Sequence, residues 1–500
     1  MRREPPTALT TPTEFDNRHP YVHKTTDYGK IRKSIVSGLP DDSPARVVGE
    51  DPNQRGFLVL GTDTGLYYSQ DSGAHWQPLK ANFPTVPVYD LKFVRRDLVV
   101  ATHGRGIWVL DNIRPLEALN PSIESSDFKL VSTAPGTLFH HWRTGFGGSA
   151  ADYSNAPEGV VLDYFLKKEI PQGRGAGGRG GPTGPGGPGE TGAQAAPAGG
   201  PGAPGAPGEQ AGEAEQAGPE GEAPGGRREG PVKIVMTDSQ GNPVATEYGP
   251  SKAGINRFVW SMRYDPPERL SFEKPPEVSE FAEFAEFAGR GRGPLVLAGT
   301  YHVAITVAGR TEQADVTVQP DPTIKIDPSE FRAQLNFALE GRNAVSALNT
   351  MLNRVDGMQK TLAAFQGTVR SSDDNELKKK YQPLRSKARE LGEKLKALKD
   401  SVYNSQLQSG VGEDSIHYLA AFNAKLSGLA GRGGFNYGQA PNQLALDEMA
   451  ELTKELDKHL ADFNQLIQTD VAAYNKEAFA AGAPTLYAGD PISVKNLAGI

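Results

Sequence analysis

Cysteine is absent from this 500-residue sequence, which excludes disulfide bonds, zinc–thiolate sites and thiol catalysis. The absence identifies no compartment, because an exported bacterial protein can also lack cysteine. No apolar run approaches the roughly 18 residues of a transmembrane helix, so we predict no membrane span. The first residues, Met1–Pro6, have no apolar stretch of the kind found in secretory signal peptides.

An excess of basic residues is lacking too. Lysine and arginine number 53 against 60 aspartates and glutamates, which gives a formal net charge of −7. Proteins that bind nucleic acids usually carry a basic face that attracts phosphates. We therefore expect no nucleic-acid partner.

Glycine and proline, in contrast, are abundant, with 58 and 39 copies. Many lie in residues 171–230, which hold almost no apolar side chains and cannot bury enough surface to offset the entropy of ordering. We predict a disordered insertion there and a disordered N-terminus at residues 1–20. The glycine spacing is too irregular for collagen, and no strand–turn–helix context supports a phosphate loop.

One short motif is the most specific signal in the chain. Residues 69–76 read S-x-D-x-G-x-x-W between two strand-like runs. Asp71, two residues after Ser69, is placed to accept backbone hydrogen bonds inside its own turn, and Gly73 supplies the positive φ that the turn needs. Trp76 then opens the next strand with a large apolar face.

A weaker copy of the motif lies upstream in Thr25, Asp27 and Gly29, with an arginine at the tryptophan position. Asp27 and Asp71 are 44 residues apart, and a period of this length with strand–turn–strand content is typical of a propeller blade. A third unit follows at residues 98–110 without the motif. The alternative is three unrelated hairpins with a chance match.

The motif resembles the Asp-box of BNR-repeat β-propellers, a group that includes sialidases, xyloglucanases and the sortilin ectodomain. Four further segments, 61–67, 101–111, 254–260 and 298–301, follow one another along the chain. Their order resembles that in large bacterial proteins with sortilin-like propellers, which are of the glycosyl-hydrolase-like type. The resemblance implies that residues 21–115 form an incomplete propeller of about two and a half blades, since closed propellers need roughly four to eight. It also implies an extracellular or periplasmic parent, whose missing blades belong to the same longer protein or to another chain.

The turns between the inner strands of a blade usually carry the ligands of propellers. Here these turns hold Asp63, Thr64, His103 and Arg105. A carboxylate or a sugar hydroxyl is a suitable ligand for His103 and Arg105. The alternative is that these side chains cap strands or bridge neighbouring blades. Asp71 is used inside its own turn, so we assign it no catalytic role.

Patterns for catalysis and metal binding are lacking. The sequence has no recognisable sialidase arginine element, and a carboxylate opposite Asp63 or Asp90 would have to come from a blade outside this chain. His140 and His141 are adjacent, a spacing that favours packing with Trp142 over metal ligation. We expect no catalytic residue, no metal and no cofactor in this chain.

Short strands with alternating apolar residues lie on both sides of the glycine-rich stretch. They predict a small antiparallel β-sandwich, immunoglobulin- or fibronectin-like, formed by residues 116–170 and 231–320. Phe281, Phe284 and Phe287 predict a short helix packed on this sandwich or, alternatively, a partner-docking motif.

The last part of the chain is helical in pattern. From Leu377 to Val402 apolar residues alternate at spacings of four and three, which is a heptad seam. Four such stripes within residues 326–478 predict an antiparallel helical bundle, and residues 479–500 form a tail.

The expected fold class is therefore multidomain: a partial all-β propeller of Asp-box blades, a small β-sandwich with a disordered glycine- and proline-rich insertion, and a C-terminal α-helical bundle. We expect a non-catalytic binding or scaffolding protein that recognises a glycan or a peptide. The alternative is part of a glycoside hydrolase whose catalytic carboxylates lie in blades outside this chain. An open propeller edge would leave Tyr67, Trp76 and Trp108 exposed.

Overall fold

The computed structural model describes residues 7–9, 17–139, 158–171, 230–272, 293–325, 327–405, 420–432 and 439–494. Three sequence predictions lie outside these residues, wholly or for the most part: the glycine-rich insertion at 171–230, the aromatic cluster around His140, His141 and Trp142, and the phenylalanine repeat at Phe281, Phe284 and Phe287.

Three small antiparallel sheets come first. Sheet 1 contains β1 (Thr7–Leu9), β2 (Val22–Lys24) and β3 (Lys33–Ser34). Sheet 2 contains β4 (Ala45–Glu50), β5 (Leu58–Thr62), β6 (Gly65–Ser69) and β7 (Gln77–Pro78). Sheet 3 contains β8 (Val88–Val94), β9 (Asp97–Thr102) and β10 (Ile107–Leu110). In each sheet consecutive strands are neighbours, so each is an up-and-down meander.

Sheet 2 packs against sheet 3 through two glycines. A Cβ atom on Gly49 would lie 2.5 Å from Leu91 Cδ1, and one on Gly61 would lie 2.5 Å from Val88 Cγ1. Only glycine permits this approach of the two sheets, since any side chain would overlap its neighbour.

Trp76 lies between sheets 1 and 2 and is only 3% exposed. Its indole N–H donates a hydrogen bond of 2.7 Å to the carbonyl oxygen of Ile35. The expectation that Trp76 is exposed is therefore wrong, because sheet 1 already covers it. Tyr67 and Trp108 are half-buried.

Two short helices, α1 (Arg114–Ala118) and α2 (Pro121–Ser125), lead into a second β region. Sheet 4 has the order β11 (Phe128–Ala134), β13 (Val160–Leu166), β16 (Gly254–Trp260). Sheet 5 has the order β12 (Gly136–Thr137), β18 (Arg310–Gln319), β17 (Gly299–Val307), β14 (Val232–Thr237), β15 (Pro243–Tyr248). Residues of both sheets form one core that includes Leu162, Tyr164, Ile234, Trp260 and Ile305.

Five helices complete the described chain: α3 (Pro328–Ser371), α4 (Asn375–Val402), α5 (Phe422–Arg432), α6 (Gln443–Leu466) and α7 (Ala472–Ala481). Asp327 and Asp374 cap the first two by accepting hydrogen bonds from backbone N–H groups of the first turn. All five helices contribute to one apolar core, and the tail residues Leu486 and Ile492 are buried against it.

A π-helical turn, Ile467–Val471, joins α6 to α7. Val471 is fully buried in the helical core, whereas the neighbouring Asp470 accepts a hydrogen bond of 2.5 Å from Lys394 at the surface. Within this turn, therefore, Val471 faces the core and Asp470 faces the surface.

The described chain is thus a β-rich multidomain fold with a C-terminal helical region, and this part of the expected fold class is confirmed. Among the described helices, none has both the length and the apolar composition needed to cross a membrane.

Candidate functional site

A chain of side-chain contacts connects the two turns that the sequence marks as ligand sites. Asp63 and Thr64 form the β5–β6 turn, and His103–Arg105 lie in the β9–β10 turn. Between them stand Arg46 of β4 and Tyr89 of β8, which sequence reasoning did not identify.

The contacts run from one turn to the other. Arg46 forms an ion pair with Asp63 through its Nε atom. The Arg46 guanidinium carbon lies 4.8 Å from the centre of the Tyr89 ring, and the Tyr89 and His103 ring centres are 5.1 Å apart with planes tilted by 42°. We call these four residues, Arg46, Asp63, Tyr89 and His103, the turn surface.

The turn surface is charged, aromatic and open to solvent. The hydrogen bond to Asp63 raises the pKa of Arg46, so the guanidinium stays charged. Tyr89 is 48% exposed and His103 is exposed beside it. A cation and an imidazole next to an accessible ring provide both an apolar platform and hydrogen-bonding groups for a ligand.

The other two predicted ligand residues have different surroundings. The Thr64 hydroxyl meets the hydroxyls of the buried Ser43 and of Thr62, and it closes its turn in this way. Arg105 is exposed, and its carbonyl oxygen accepts a hydrogen bond of 3.0 Å from the Trp108 indole. Among the described residues, no hydrogen bond or ring contact joins either side chain to the turn surface.

The two Asp-box segments form turns of the same geometry. In the downstream turn, Ser69 Oγ donates to Asp71 Oδ1 at 2.8 Å and accepts from the N–H of Gly73 at 2.9 Å. In the upstream turn, Thr25 Oγ1 donates to Asp27 Oδ1 at 2.9 Å and accepts from the N–H of Gly29 at 2.8 Å.

The backbone of the two turns matches as well. Gly73 and Gly29 have φ angles of 86° and 88°, a region that glycine enters without strain. The turns connect β6 to β7 and β2 to β3, so both stand at the same place in their sheets. All seven Asp-box residues, Thr25, Asp27, Gly29, Ser69, Asp71, Gly73 and Trp76, act in packing or turn formation in the described contacts.

An ion pair between neighbouring strands of sheet 4 holds the chain that leaves sheet 3. Asp163 is fully buried and accepts a hydrogen bond of 2.8 Å from Arg257 Nε. The same guanidinium donates to the carbonyl oxygens of Asp111 and Asn112, both at 3.1 Å. The Asn112 amide also donates to Asp163 at 3.2 Å. Three partners around one guanidinium fix the position of the chain just after β10.

Two buried carboxyl groups meet where α1 docks on the turns of sheets 2 and 3. Asp51 is buried in the β4–β5 connection, and Glu117 of α1 forms an ion pair with Arg96. Asp51 Oδ2 and Glu117 Oε1 are buried and meet no N–H or O–H donor of the described residues. Burial and the neighbouring Asp51 carboxyl raise the pKa of Glu117, although Arg96 opposes the rise. A proton shared between the two carboxyl groups would satisfy both oxygen atoms.

A cleft of about 800 Å³ lies apart from the turn surface, between α3 and residues 265–268. Its two arginines lie on α3, and Arg354 donates to the carbonyl oxygen of Ala488 at 3.2 Å. Glu268 and Asn353 line the cleft, and their hydrogen bonds fasten residues 268–269 to α3. Within the described ranges, no group of three His, Asp or Glu residues is placed to hold a metal ion.

Comparisons with known proteins identify no family. No family model matches the chain, and no curated protein matches it. A solved structure of PorZ, an essential bacterial surface component of the type-IX secretion system of Porphyromonas gingivalis, is similar at 13% identity and a TM-score of 0.14. The similarity covers 55% of this chain and 30% of PorZ, and at this TM-score it supports neither a fold nor a function for this chain.

Proposed function

We propose that this chain is the non-catalytic binding or scaffolding part of an exported BNR-repeat β-propeller protein, and that it recognises a glycan or a peptide at the turn surface. The observation that carries the proposal is the exposed Tyr89 ring between Arg46 and His103. It bridges two turns that occupy the same position in successive sheets, where propeller ligands usually bind.

The propeller interpretation is supported by repetition. Two Asp-box turns of equal geometry stand 44 residues apart, and sheet 2 is a complete four-stranded meander. Sheets 1 and 3 are shorter meanders that pack on either side of it. In this interpretation sheets 4 and 5 are the two layers of a sandwich, and the helical region braces the propeller or mediates assembly. The missing blades belong to a longer protein or another chain, and the parent is extracellular or periplasmic.

The proposal is tested by binding of the full chain to an array that carries glycans and peptides. Tyr89→Ala removes the ring that the ligand contacts, and we expect it to weaken binding by about tenfold or more, as loss of an aromatic anchor does. Tyr487→Ala is the matched control, because Tyr487 is an exposed tyrosine in the tail.

Three results would contradict the proposal. Binding that is unchanged in Tyr89→Ala would place the ligand elsewhere. Binding that is lost equally in both variants would indicate a general loss of structure. Hydrolysis of a bound glycan by the chain alone would favour a glycoside hydrolase over a binding protein.

A further inference from the structure

Strand β10 is an edge strand with one side unpaired among the described residues. It pairs with β9 in the register Ile107↔Ala101, Trp108↔Val100 and Val109↔Val99. The N–H of Thr102 donates to the carbonyl oxygen of Gly106 at 3.1 Å. Because hydrogen-bonded and non-hydrogen-bonded pairs alternate along an antiparallel ladder, Trp108 bonds to β9, and the N–H and C=O groups of Ile107 and Val109 point away from it.

Sheet 2 shows what occupies the corresponding edge. There β7 pairs with β6, and the N–H of Leu79 donates to the carbonyl oxygen of Leu66 at 2.9 Å. Leu66 comes after Gly65, the first residue of β6, and Ile107 comes after Gly106, which directly precedes β10. Leu66 and Ile107 therefore hold equivalent positions, one paired and one open.

The side chains of the open positions are apolar and exposed. Ile107 is 73% exposed and Val109 is 52% exposed, on the face of sheet 3 opposite the buried Leu98 and Val100. In sheet 2 the equivalent Leu66 is buried against sheet 3. Exposed edge strands in stable proteins are usually protected by lysine, proline or a bulge, and β10, with the sequence Ile-Trp-Val-Leu, has none of these within it.

Among the described residues that follow β10, none supplies the missing strand. Directly after β10, Asp111 and Asn112 are held by Arg257 and turn the chain toward sheet 4. In sheet 2, by contrast, the Asp-box turn returns the chain to pair as β7.

We propose that the open edge of β10 binds an antiparallel β-strand of another polypeptide segment, a blade strand from outside these 500 residues. The strand accepts and donates hydrogen bonds at Ile107 and Val109, and its sheet covers their side chains. A second copy of this chain is a poorer occupant, because an edge of four residues buries far less than the roughly 1,200 Å² of a stable interface. The inference rests on the propeller interpretation above and not on the turn surface.

The test uses the full chain and a synthetic peptide of residues 69–83, which contains the chain's own Asp-box turn and fourth strand. Hydrogen exchange is measured at Ile107 and Val109 with peptide at up to about 1 mM, a range that detects weak complexes. We expect slower exchange at these two amides, whereas the amides of Trp108 and Leu110 are protected with or without peptide.

Two variants make the test specific. A peptide with Leu79→Pro lacks the N–H that pairs with the edge and should bind about fivefold more weakly or worse, since one hydrogen bond is lost. Val109→Pro in the protein removes an outward N–H without removing a bond to β9, and it should have the same effect, whereas Val109→Thr keeps the N–H and should bind normally.

Three outcomes would overturn the proposal. The first is unchanged exchange at about 1 mM wild-type peptide. The second is binding of the Leu79→Pro peptide to the wild-type protein as tightly as the wild-type peptide binds; this comparison does not depend on whether a protein variant folds. The third is protection of Ile107 and Val109 that rises with protein concentration in the absence of peptide, which would make a second copy the occupant. Ligand binding measured on Tyr89→Ala reports on the turn surface separately, so the two proposals fail independently.

Discussion

Asp71 and His75 are linked twice within one turn: Asp71 Oδ1 accepts from the His75 N–H at 2.9 Å, and Asp71 Oδ2 lies 2.7 Å from His75 Nδ1. Asp27 makes the first of these bonds with the N–H of Ile31, also at 2.9 Å. The carboxylate thus bonds to a backbone group four residues later in both turns. Because this bond uses only the backbone of the fourth residue, it forms whatever side chain that residue carries. The upstream turn can therefore have Ile31 at the position where the downstream turn has His75.

Asp71 should stabilise the fold down to strongly acidic pH. Partial burial raises its pKa, but the hydrogen bonds from His75 and Ser69 outweigh this and lower the pKa to about 2. A depressed folded-state pKa gives stability that is present above the unfolded value near 3.8 and lost as pH falls through about 2.

Replacement of Asp71 tests this contribution. Asp71→Ala should lower the free energy of unfolding by about 1 kcal/mol at neutral pH, a modest value because the side chain is half exposed. Denaturant unfolding at pH 7 measures the loss. The control is Asp90→Ala, at an exposed aspartate in β8 whose carboxylate accepts, among the described residues, only the Leu91 N–H, and it should change stability less than Asp71→Ala does.

Loss of the Asp163–Arg257 ion pair, at the junction of sheets 3 and 4, should lower stability far more than loss of the Asp71 carboxylate does. Arg257→Ala leaves the fully buried Asp163 charge with only two partners in the described part of the chain, the Ser132 hydroxyl and the Asn112 amide, and we expect a loss of about 3 kcal/mol in the free energy of unfolding. Arg310→Ala removes the exposed pair with Asp127 and should cost less than about 1 kcal/mol. Similar losses in both variants would show that Asp163 is solvated in solution.

The raised pKa of Glu117 beside Asp51 predicts a pH effect of the opposite sign. The pKa of Glu117 is raised above its ordinary 4.5, so its contribution to stability is complete below 4.5 and is lost as pH rises through the folded-state pKa. Glu117→Gln donates to Asp51 at every pH, and its stability should fall less than that of the wild type as pH rises.

Thermal unfolding measured from pH 4 to pH 8 compares the two proteins. Glu124→Gln, at an exposed position on α2, serves as the control and should follow the wild-type profile. A wild-type profile that runs parallel to that of Glu117→Gln would exclude a shared proton.

Two glycines of the first region should respond differently to alanine. Both have φ near 90°, so each substitution carries a backbone cost of about 1–2 kcal/mol. At Gly29 a Cβ atom meets nothing within 4 Å, whereas at Gly38 it would lie 2.3 Å from the Trp76 carbonyl oxygen, a position that Gly38→Ala cannot occupy without a shift of the backbone. Gly38→Ala should therefore lower the unfolding midpoint clearly more than Gly29→Ala does.

The sequence predicts features that depend on neighbours along the chain. The heptad seam from Leu377 to Val402 lies within one helix, α4, and is confirmed, because the spacing of apolar residues along a helix is a local pattern. Burial of Trp76 was mispredicted, since it depends on Ile35, which directly follows β3 of sheet 1. An arginine between the apolar residues of β4 was the one available signal for Arg46.

The contacts at the junction of sheets 3 and 4 could not be predicted from the sequence either, because they too join residues that are distant along the chain. Asp163 and Arg257 are 94 residues apart, and nothing in either local pattern identifies the partner. The contact between Arg46 and Tyr89 likewise depends on how sheet 2 packs against sheet 3. Whether the turn surface binds a ligand stays a prediction until the array experiment is done.

The π-helical turn at Ile467–Val471 has a consequence for the evolution of this chain. A π-helical turn closes its hydrogen bonds over five residues, so it holds one residue more than an α-helical turn does. Such a turn is what a one-residue insertion leaves when a helix keeps its packed face. Homologous sequences with the same core are therefore expected to show a single-residue gap within residues 467–471.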